Sequence, residues 1–389
     1  MGIDHLRRYL REHHPGSLSV LPVQQLRGRR VFIDTHGWTY QNACPIWTQL
    51  ALQSHFDDDW ELRIRHDLLV SRLFANLMSY IFKLLRFGVT PVFIFDGAHP
   101  PEKEVKYKRE EKKSAKKIAR MAELRTMLHK DALDGAAEAE LKKLIAQRPR
   151  FPHEVFEDLY GLVDGLGLPC CLATGEGEKL VAALAIEGWG VGLSDDTDSL
   201  ALGSPLTIYD IEGETAQVMY LPAVLQKLEM SFELFRDFCI AAQCDFNTRI
   251  RGLGIVTLYH ALKRCGSLEQ LLYTADPAIG DTEPYAYFQG CKYVQAAWRC
   301  IRKAGPKAVG ELNLDGCRRL FSYQTSRSQM RAGRLVLQDA QIHIRSQLQL
   351  YGVEQLADEL FALLRDLPAP PLQATSQSPY NAPHQTACV

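Results

Sequence analysis

Short apolar runs alternate with longer amphipathic stretches through the first two thirds of the chain. Residues 31–34 and 92–96 have the pattern of buried strands, and the stretch from Glu61 to Phe87 has the pattern of an amphipathic helix that ends at Gly88. This alternation predicts an α/β fold with a mostly parallel central sheet flanked by helices. It resumes after residue 150, with strands predicted near 168–172, 191–193 and 206–209 and helices near 153–166 and 178–187.

Two parts of the chain depart from this alternation. Residues 101–150 are charged and rich in alanine, so they favour helix but offer few large apolar side chains, and we expect them to project from the body. After Phe232 the pattern is helical. The stretch 367–389 is rich in proline and polar residues without periodicity, which predicts a disordered tail.

Composition narrows the class of protein. The chain has 389 residues, 46% of them hydrophobic and 23% charged, which is enough for a well-buried core. It has no apolar run of about 18 residues and no apolar stretch at its amino terminus, so we expect neither a membrane span nor a signal peptide. Ten scattered cysteines without a CxxC pair are typical of reduced thiols in an intracellular protein.

The net charge of −1 hides local excesses of both signs. Nine lysines or arginines against three glutamates lie between Lys103 and Arg120, which predicts a face that can neutralise phosphates. Alternatives for this segment are a solvated charged helix and a nuclear localisation signal.

Acidic residues recur in short, separate segments. Three of these segments place an acid just after a short apolar run, and a parallel sheet would bring those carboxylates together at its carboxyl edge. Crowded carboxylates repel one another unless divalent cations neutralise them, and Mg²⁺ prefers oxygen ligands. The sequence therefore predicts a metal site whose candidate ligands are Asp34, Asp96, Glu176, Glu178, Asp196, Asp198 and Asp245. If Asp196 and Asp198 lay in a strand, period two would put them on one face, whereas Glu176 and Glu178 are expected to straddle a loop-to-helix junction.

Six segments in this order resemble the flap endonuclease and XPG family of structure-specific 5′ nucleases: MGI at the start, VFIDTHGWTYQ, PVFIFDGAHPP, GEGEKLVAALA, SDDTDSLALGSP, and CDFNTRIRGLG followed by GSLEQLL. The resemblance covers residues 1–275. It implies a PIN-like nuclease fold with a helical arch insertion and a helix-hairpin-helix-type DNA-binding element. The implied regions are 1–100 (N-terminal nuclease), 101–150 (arch), 151–275 (internal nuclease, with the hairpin element near 239–275), 276–366 (C-terminal helices) and 367–389 (tail).

The resemblance also implies roles for single residues. All seven acids match the family's metal-site acids, which hold two Mg²⁺ ions about 4 Å apart, and Mn²⁺ is expected to substitute. Asp195 falls outside this set. In the arch, Lys103 and Arg109 are our candidates for contact with the scissile phosphate.

Four further residues are implied to contact DNA. Tyr40 matches a tyrosine that stacks on a base, although a core aromatic is the alternative. Gly252 and Gly254 match a hairpin that approaches duplex phosphates, with a simple helix-helix turn as the alternative. Ile255 and Val256 stand where Pro and Lys are more usual, which predicts a weaker grip. Gly2 is implied to lie near the site.

The function expected from these features is a Mg²⁺-dependent 5′ flap endonuclease and 5′–3′ exonuclease that acts on branched DNA in replication and repair. The alternatives are an RNA-directed or plain 5′ exonuclease and an inactive family scaffold. We expect a monomer in the nucleus, or in a viral replication compartment if the source is viral. Binding to a sliding clamp is expected to be weak or absent, because the segment QLQLYG from Gln347 lacks an aromatic pair.

Overall fold

The computed structural model describes residues 2–3, 5–53, 66–98, 103–128, 135–147, 151, 153–276, 287–288, 290–324 and 362–363. The segment at Gln347 and the predicted tail 367–389 lie outside the described residues. The strands are β1 (Leu18–Pro22), β2 (Arg30–Asp34), β3 (Thr90–Phe95), β4 (Cys170–Leu172), β5 (Val191–Leu193), β6 (Leu206–Glu212) and β7 (Thr215–Tyr220).

The helices alternate with these strands and then continue alone. In chain order they are α1 (Leu6–His13), α2 (Thr35–Gln53), α3 (His66–Arg86), α4 (Glu104–Leu128), α5 (Gly135–Ala146), α6 (His153–Gly165), α7 (Gly177–Ile186), α8 (Asp198–Ala201), α9 (Leu221–Leu228), α10 (Phe232–Ala242), α11 (Ile255–Cys265), α12 (Leu268–Ala275), α13 (Lys292–Gly310) and α14 (Leu314–Leu320).

The seven strands form one mixed sheet in the order β1-β7-β6-β5-β2-β3-β4. The five strands from β6 to β4 are parallel, and β7 and β1 add an antiparallel edge. The predicted α/β class with a mostly parallel sheet is confirmed. The antiparallel edge was not predicted, because β1 is largely exposed and carries no buried apolar run.

Two large apolar clusters cover the sheet and the C-terminal helices. One contains α3, whose leucines and phenylalanines pack with β2, β3 and α2. Residues Leu68–Arg86 are long and apolar enough to cross a membrane by length and composition alone, but Leu69, Leu73 and Leu77 are fully buried, so we interpret α3 as a core helix. The other cluster joins α1 to α9 through α14.

The arch insertion is anchored to the body rather than projecting along its whole length. Met121 and Leu124 of α4 and Leu141 and Ile145 of α5 are buried in the main core. The indole of Trp47 in α2 also donates to the Ile145 carbonyl (3.3 Å). The expectation of a projecting segment was therefore wrong from Met121 onward, since two pairs of apolar residues at helical spacing are enough to dock α4 and α5 on the body.

Candidate active site

Acidic residues line the carboxyl edge of the sheet. Asp34 ends β2, Asp96 follows β3, Glu176 is the N-cap of α7 after β4, and Asp198 begins α8 after β5. The strands β5, β2, β3 and β4 are neighbours and parallel, so their carboxyl ends meet. Asp34, Glu176, Glu178, Asp196, Asp198 and Asp245 are buried, and Asp96 is partly buried.

Local hydrogen bonds fix two of the carboxylates on β2 and β3. Asp34 accepts from the Gly37 N–H (3.0 Å) and from the Ser194 hydroxyl (2.9 Å). Asp96 accepts from the Gly177 N–H at the start of α7 (2.7 Å). The bond from Ser194 ties the end of β2 to the turn after β5, and the bond from Gly177 ties the end of β3 to the start of α7, so both carboxylates are held in place.

Asp196 and Asp198 come together by a different route from the one predicted. Strand β5 ends at Leu193, so neither residue lies in a strand and period two does not apply. Asp196 lies in the turn, and its Oδ1 accepts from the N–H of Asp198, the first residue of α8 (2.9 Å). The turn rather than the pleat brings the two side chains to one place. Glu176 and Glu178 do straddle the junction into α7.

Three of the acids offer carboxylate oxygens that lie within 4.8 Å of one another: Glu178, Asp196 and Asp198. Neither oxygen of Asp198 has a hydrogen-bond partner among the described residues, although both are buried. A buried ionised carboxylate without a partner is costly, and a cation would compensate that cost. Because the donors are all carboxylate oxygens, the cluster fits a hard divalent cation such as Mg²⁺.

Mutual repulsion links all seven acids. Burial, followed by the charge of Asp96, raises the pKa of Asp34 to about 7. Burial, then Asp196 and Glu176, raises the pKa of Glu178 well above its ordinary value. Burial, then Asp196 and Asp245, does the same for the pKa of Asp198. The seven predicted residues therefore form one electrostatic cluster.

Two lysines from the start of the arch reach into this cluster. Lys103 forms an ion pair with Glu176 and lies 3.8 Å from an oxygen of Asp245. Lys106 Nζ donates to the same oxygen of Asp245 (2.6 Å). Burial acts to lower the pKa of Lys103, but the charges of Glu178 and Glu176 outweigh it, so this pKa is raised and the ammonium stays protonated.

Lys106 was not among the predicted site residues, which paired Lys103 with Arg109. Lys103 immediately precedes α4 and Lys106 lies in its first turn, and residues three apart at a helix start lie on the same side of it. That spacing was the available signal. Arg109 lies in α4, but its side chain is outside the described part of the chain.

The remaining predicted residues lie at the rim of the acidic cluster or beyond it. Gly2 has φ +84°, and a Cβ there would come within 1.9 Å of the Asp196 carboxylate, so only glycine fits against this acid. Tyr40 is 38% exposed on α2 beside Phe151 and Phe156. Gly252 and Gly254 lie in the hairpin between α10 and α11, and Gly254 is the N-cap of α11.

His36 is a second residue that the sequence analysis missed. Its Nδ1 accepts from the Asp96 N–H (3.2 Å), and its ring stacks on Phe156 at 4.2 Å between centroids. It therefore joins Asp96 to the aromatic side chains around Tyr40.

The repulsion among the acids predicts how stability depends on pH. A carboxyl whose pKa is higher in the folded than in the unfolded protein contributes stability below its unfolded pKa, and this contribution is lost as the pH rises through the folded pKa. Metal-free protein should therefore melt at a lower temperature at pH 8 than at pH 6, and Mg²⁺ should remove much of this difference. Asp198→Asn should raise the metal-free melting temperature at pH 8 by about 3 °C or more. Differential scanning fluorimetry measures both effects, and equal melting temperatures at the two pH values without metal would contradict the repulsion.

Comparison with known families decides the relationship of this chain. Residues 1–118 match the XPG N-terminal domain, and residues 167–245 match the XPG I-region. These two regions contain all seven acids of the cluster. The chain belongs to the flap endonuclease and XPG family.

Relatives within the family are similar over most of this chain. Flap endonuclease 1 of Cryptosporidium muris (strain RN66) is 31% identical over 295 residues, which cover 71% of this chain and 58% of the relative. Flap endonuclease 1 of Cryptosporidium parvum (strain Iowa II) is 27% identical over 298 residues, covering 71% and 56%. The chain thus spans somewhat more than half the length of these curated relatives.

Solved structures share the fold at low sequence identity. The catalytic core of Rad2 in complex with DNA substrate has a TM-score of 0.60 at 16% identity, covering 93% of this chain and 100% of that one. Flap endonuclease-1 from Methanococcus jannaschii has a TM-score of 0.51 at 19% identity, covering 90% and 96%. The nuclease fold expected from the sequence is thereby confirmed.

Proposed function

We propose that this chain is a Mg²⁺-dependent nuclease that hydrolyses phosphodiester bonds in branched DNA, as a 5′ flap endonuclease with 5′–3′ exonuclease activity in replication and repair. The observation that carries the proposal is the cluster of seven acids with Lys103 and Lys106 beside it. Supporting it, the relatives are named flap endonuclease 1, and the Rad2 neighbour is described in complex with DNA substrate.

The chemistry of the site suits phosphodiester hydrolysis. The acids would hold Mg²⁺, whose chemistry would be to lower the pKa of a water and to stabilise negative charge on the leaving oxygen. Glu178, Asp196 and Asp198 are the residues that would hold one ion most directly, since their oxygens lie closest together. Asp34 and Asp96 are held by backbone N–H groups and Ser194, so they are pre-positioned to share in metal binding.

Two lysines at the start of the arch supply the complementary charge: Lys103 precedes α4, and Lys106 lies in its first turn. Lys103 and Lys106 are largely buried against the acids, and their ammonium groups remain charged. A DNA phosphate that enters the site would replace a carboxylate as the ion-pair partner of these lysines. In this way the two lysines would hold the scissile phosphate over the acidic cluster.

Cleavage of a panel of nucleic acids in Mg²⁺ tests the proposal. A double-flap DNA, a blunt duplex and an RNA hairpin are compared, and the product ends are mapped to the nucleotide. We expect the double-flap DNA to be cut fastest, near the base of the 5′ flap, with no cleavage in EDTA. Preference for the RNA hairpin would overturn the DNA assignment, and preference for the blunt duplex would indicate a plain 5′ exonuclease.

Tyr40 provides a separate test of substrate placement. Its ring is partly exposed, and stacking on a base is worth about 1 to 3 kcal/mol. Tyr40→Ala should therefore weaken productive binding by about 10-fold or more, whereas Tyr40→Phe should retain near-normal kcat/KM. If the two variants lose kcat/KM equally, the phenol hydroxyl rather than stacking is what matters.

A further inference from the structure

Helix α13 is the most strongly basic element outside the acidic site. It contains no acidic residue from Lys292 to Gly310. Five of its basic residues are exposed: Lys292, Arg299, Arg302, Lys303 and Lys307. A surface helix with an excess of positive charge attracts polyanionic partners.

Three of these cations form one stripe. Val294, Trp298 and Ile301 are buried against the C-terminal core. Lys292, Arg299 and Lys303, at spacings of seven and four residues, lie within about 40° of one another on the opposite side of the helix. We call these three residues the basic stripe. It extends for about 16 Å along the helix axis, and the non-helical Gly305 separates it from Lys307.

The basic stripe adjoins the hairpin that precedes α11. Gly252 in that hairpin has φ +85°, and a Cβ there would lie 3.6 Å from the Sγ of Cys300, which follows Arg299 in α13. His260 of α11 also stacks on Tyr293 of α13, with 4.2 Å between ring centroids. Helix α13 and the hairpin are thus parts of one packed surface.

The positive charge of the hairpin comes from two exposed arginines, Arg249 and Arg251. The first turn of α11 begins Ile255-Val256 and contains no lysine or arginine. A phosphate backbone that met only this hairpin would find backbone N–H groups and these two cations, so α13 would add to the charge available to it.

We infer that the basic stripe is a second contact surface for the phosphate backbone of duplex DNA, next to the hairpin. At about 3.4 Å per nucleotide along one strand, a stripe of this length covers about five phosphates. The residues between its cations on this side of the helix, Gln295 and Ala296, are small or polar. The neighbouring Tyr293 is half-buried between Lys292 (4.9 Å to the ring centroid) and His260, so these cations favour a polyanion over a hydrophobic protein partner. The inference rests on the proposed function, because it supplies duplex DNA as the ligand.

The test compares two variants of equal charge. The stripe variant is Arg299→Gln with Lys303→Gln. The control is Arg27→Gln with Arg86→Gln, two exposed cations that precede β2 and β3 at the amino edge of the sheet, beside residues of the other core cluster. Affinity for a labelled double-flap DNA is measured by fluorescence anisotropy in EDTA between 50 and 200 mM salt, where each lost phosphate contact lowers the slope of log K against log salt by about 1.

We expect the slope to fall by about 2 for the stripe variant and to stay unchanged for the control, with the melting temperatures of both unchanged. The rate of cleavage at saturating DNA should be normal in both variants, because neither touches the acidic cluster. An unchanged slope in the stripe variant, or an equal fall in the control, overturns the inference while leaving the nuclease assignment intact. Failure of the unaltered protein to bind or cut any DNA would overturn the proposed function and this inference together.

Discussion

Asp198→Asn is expected to lower the rate of flap cleavage in Mg²⁺ by about 10²- to 10³-fold or more, with little change in affinity for flapped DNA. Asp198 is fully buried, and neither of its carboxylate oxygens has a hydrogen-bond partner among the described residues. A bound cation would offset the cost of burying this charge. Asparagine keeps the shape of the side chain but removes the charge that a metal ion requires.

The neighbouring Asp195 provides the matched control. It lies in the same turn, and its backbone carbonyl, rather than its carboxylate, accepts from the Arg7 guanidinium. Asp195→Asn removes the same charge three residues away and should change the cleavage rate by less than about threefold. Equal losses in the two variants, or an active Asp198→Asn protein, would show that general negative charge rather than a specific metal site is needed. An inactive family scaffold would show no Mg²⁺-dependent cleavage in the unaltered protein.

The second large effect is expected from the arch. Replacement of both Lys103 and Lys106 by Met should slow cleavage at saturating DNA by about 10²-fold or more, because two charge-assisted contacts to the scissile phosphate are lost. Each single replacement should slow cleavage by less than the double replacement does. Single-turnover kinetics measures the chemical step apart from product release.

Lys108→Met is the control for this pair. Lys108 lies on the same helix, but it is exposed and pairs with Glu104 of its own helix (2.8 Å). Its loss should leave the single-turnover rate within about twofold of normal, because exposed ion pairs contribute little. A Lys106→Met protein as active as Lys108→Met would show that Lys106 has no part in the reaction.

The sequence was sufficient to predict the convergence of the acids, for a physical reason. Asp34 and Asp96 follow strands whose runs, VFI and VFIF, are apolar enough to mark central parallel strands, and such strands end at a common edge. The strand periodicity expected at Asp196 does not apply, because β5 ends at Leu193 and Asp196 lies in the turn before α8. The seven acids remain predicted metal ligands, whereas the prediction that period two joins Asp196 to Asp198 was wrong, because a turn brings these two together.

Features that depend on tertiary contact escaped the sequence analysis. Helix α2 was not predicted, since Pro45 interrupts its pattern and its apolar residues do not form one clear stripe. The docking of α5 depends on Trp47 and Thr48 of α2, which are about 100 residues distant in sequence. In the sequence Lys106 is one of nine cations in its segment, and only its contact with Asp245 in the folded chain distinguishes it from the other eight.

The central claim is that the seven acids hold divalent cations beside Lys103 and Lys106. Anomalous scattering from crystals grown with Mn²⁺ tests it most directly. We expect two anomalous peaks within coordination distance of the cluster, at least one of them bound by Glu178, Asp196 and Asp198 together, and both absent from Asp198→Asn crystals. Crystals saturated with Mn²⁺ that show no peak at these carboxylates would contradict the account.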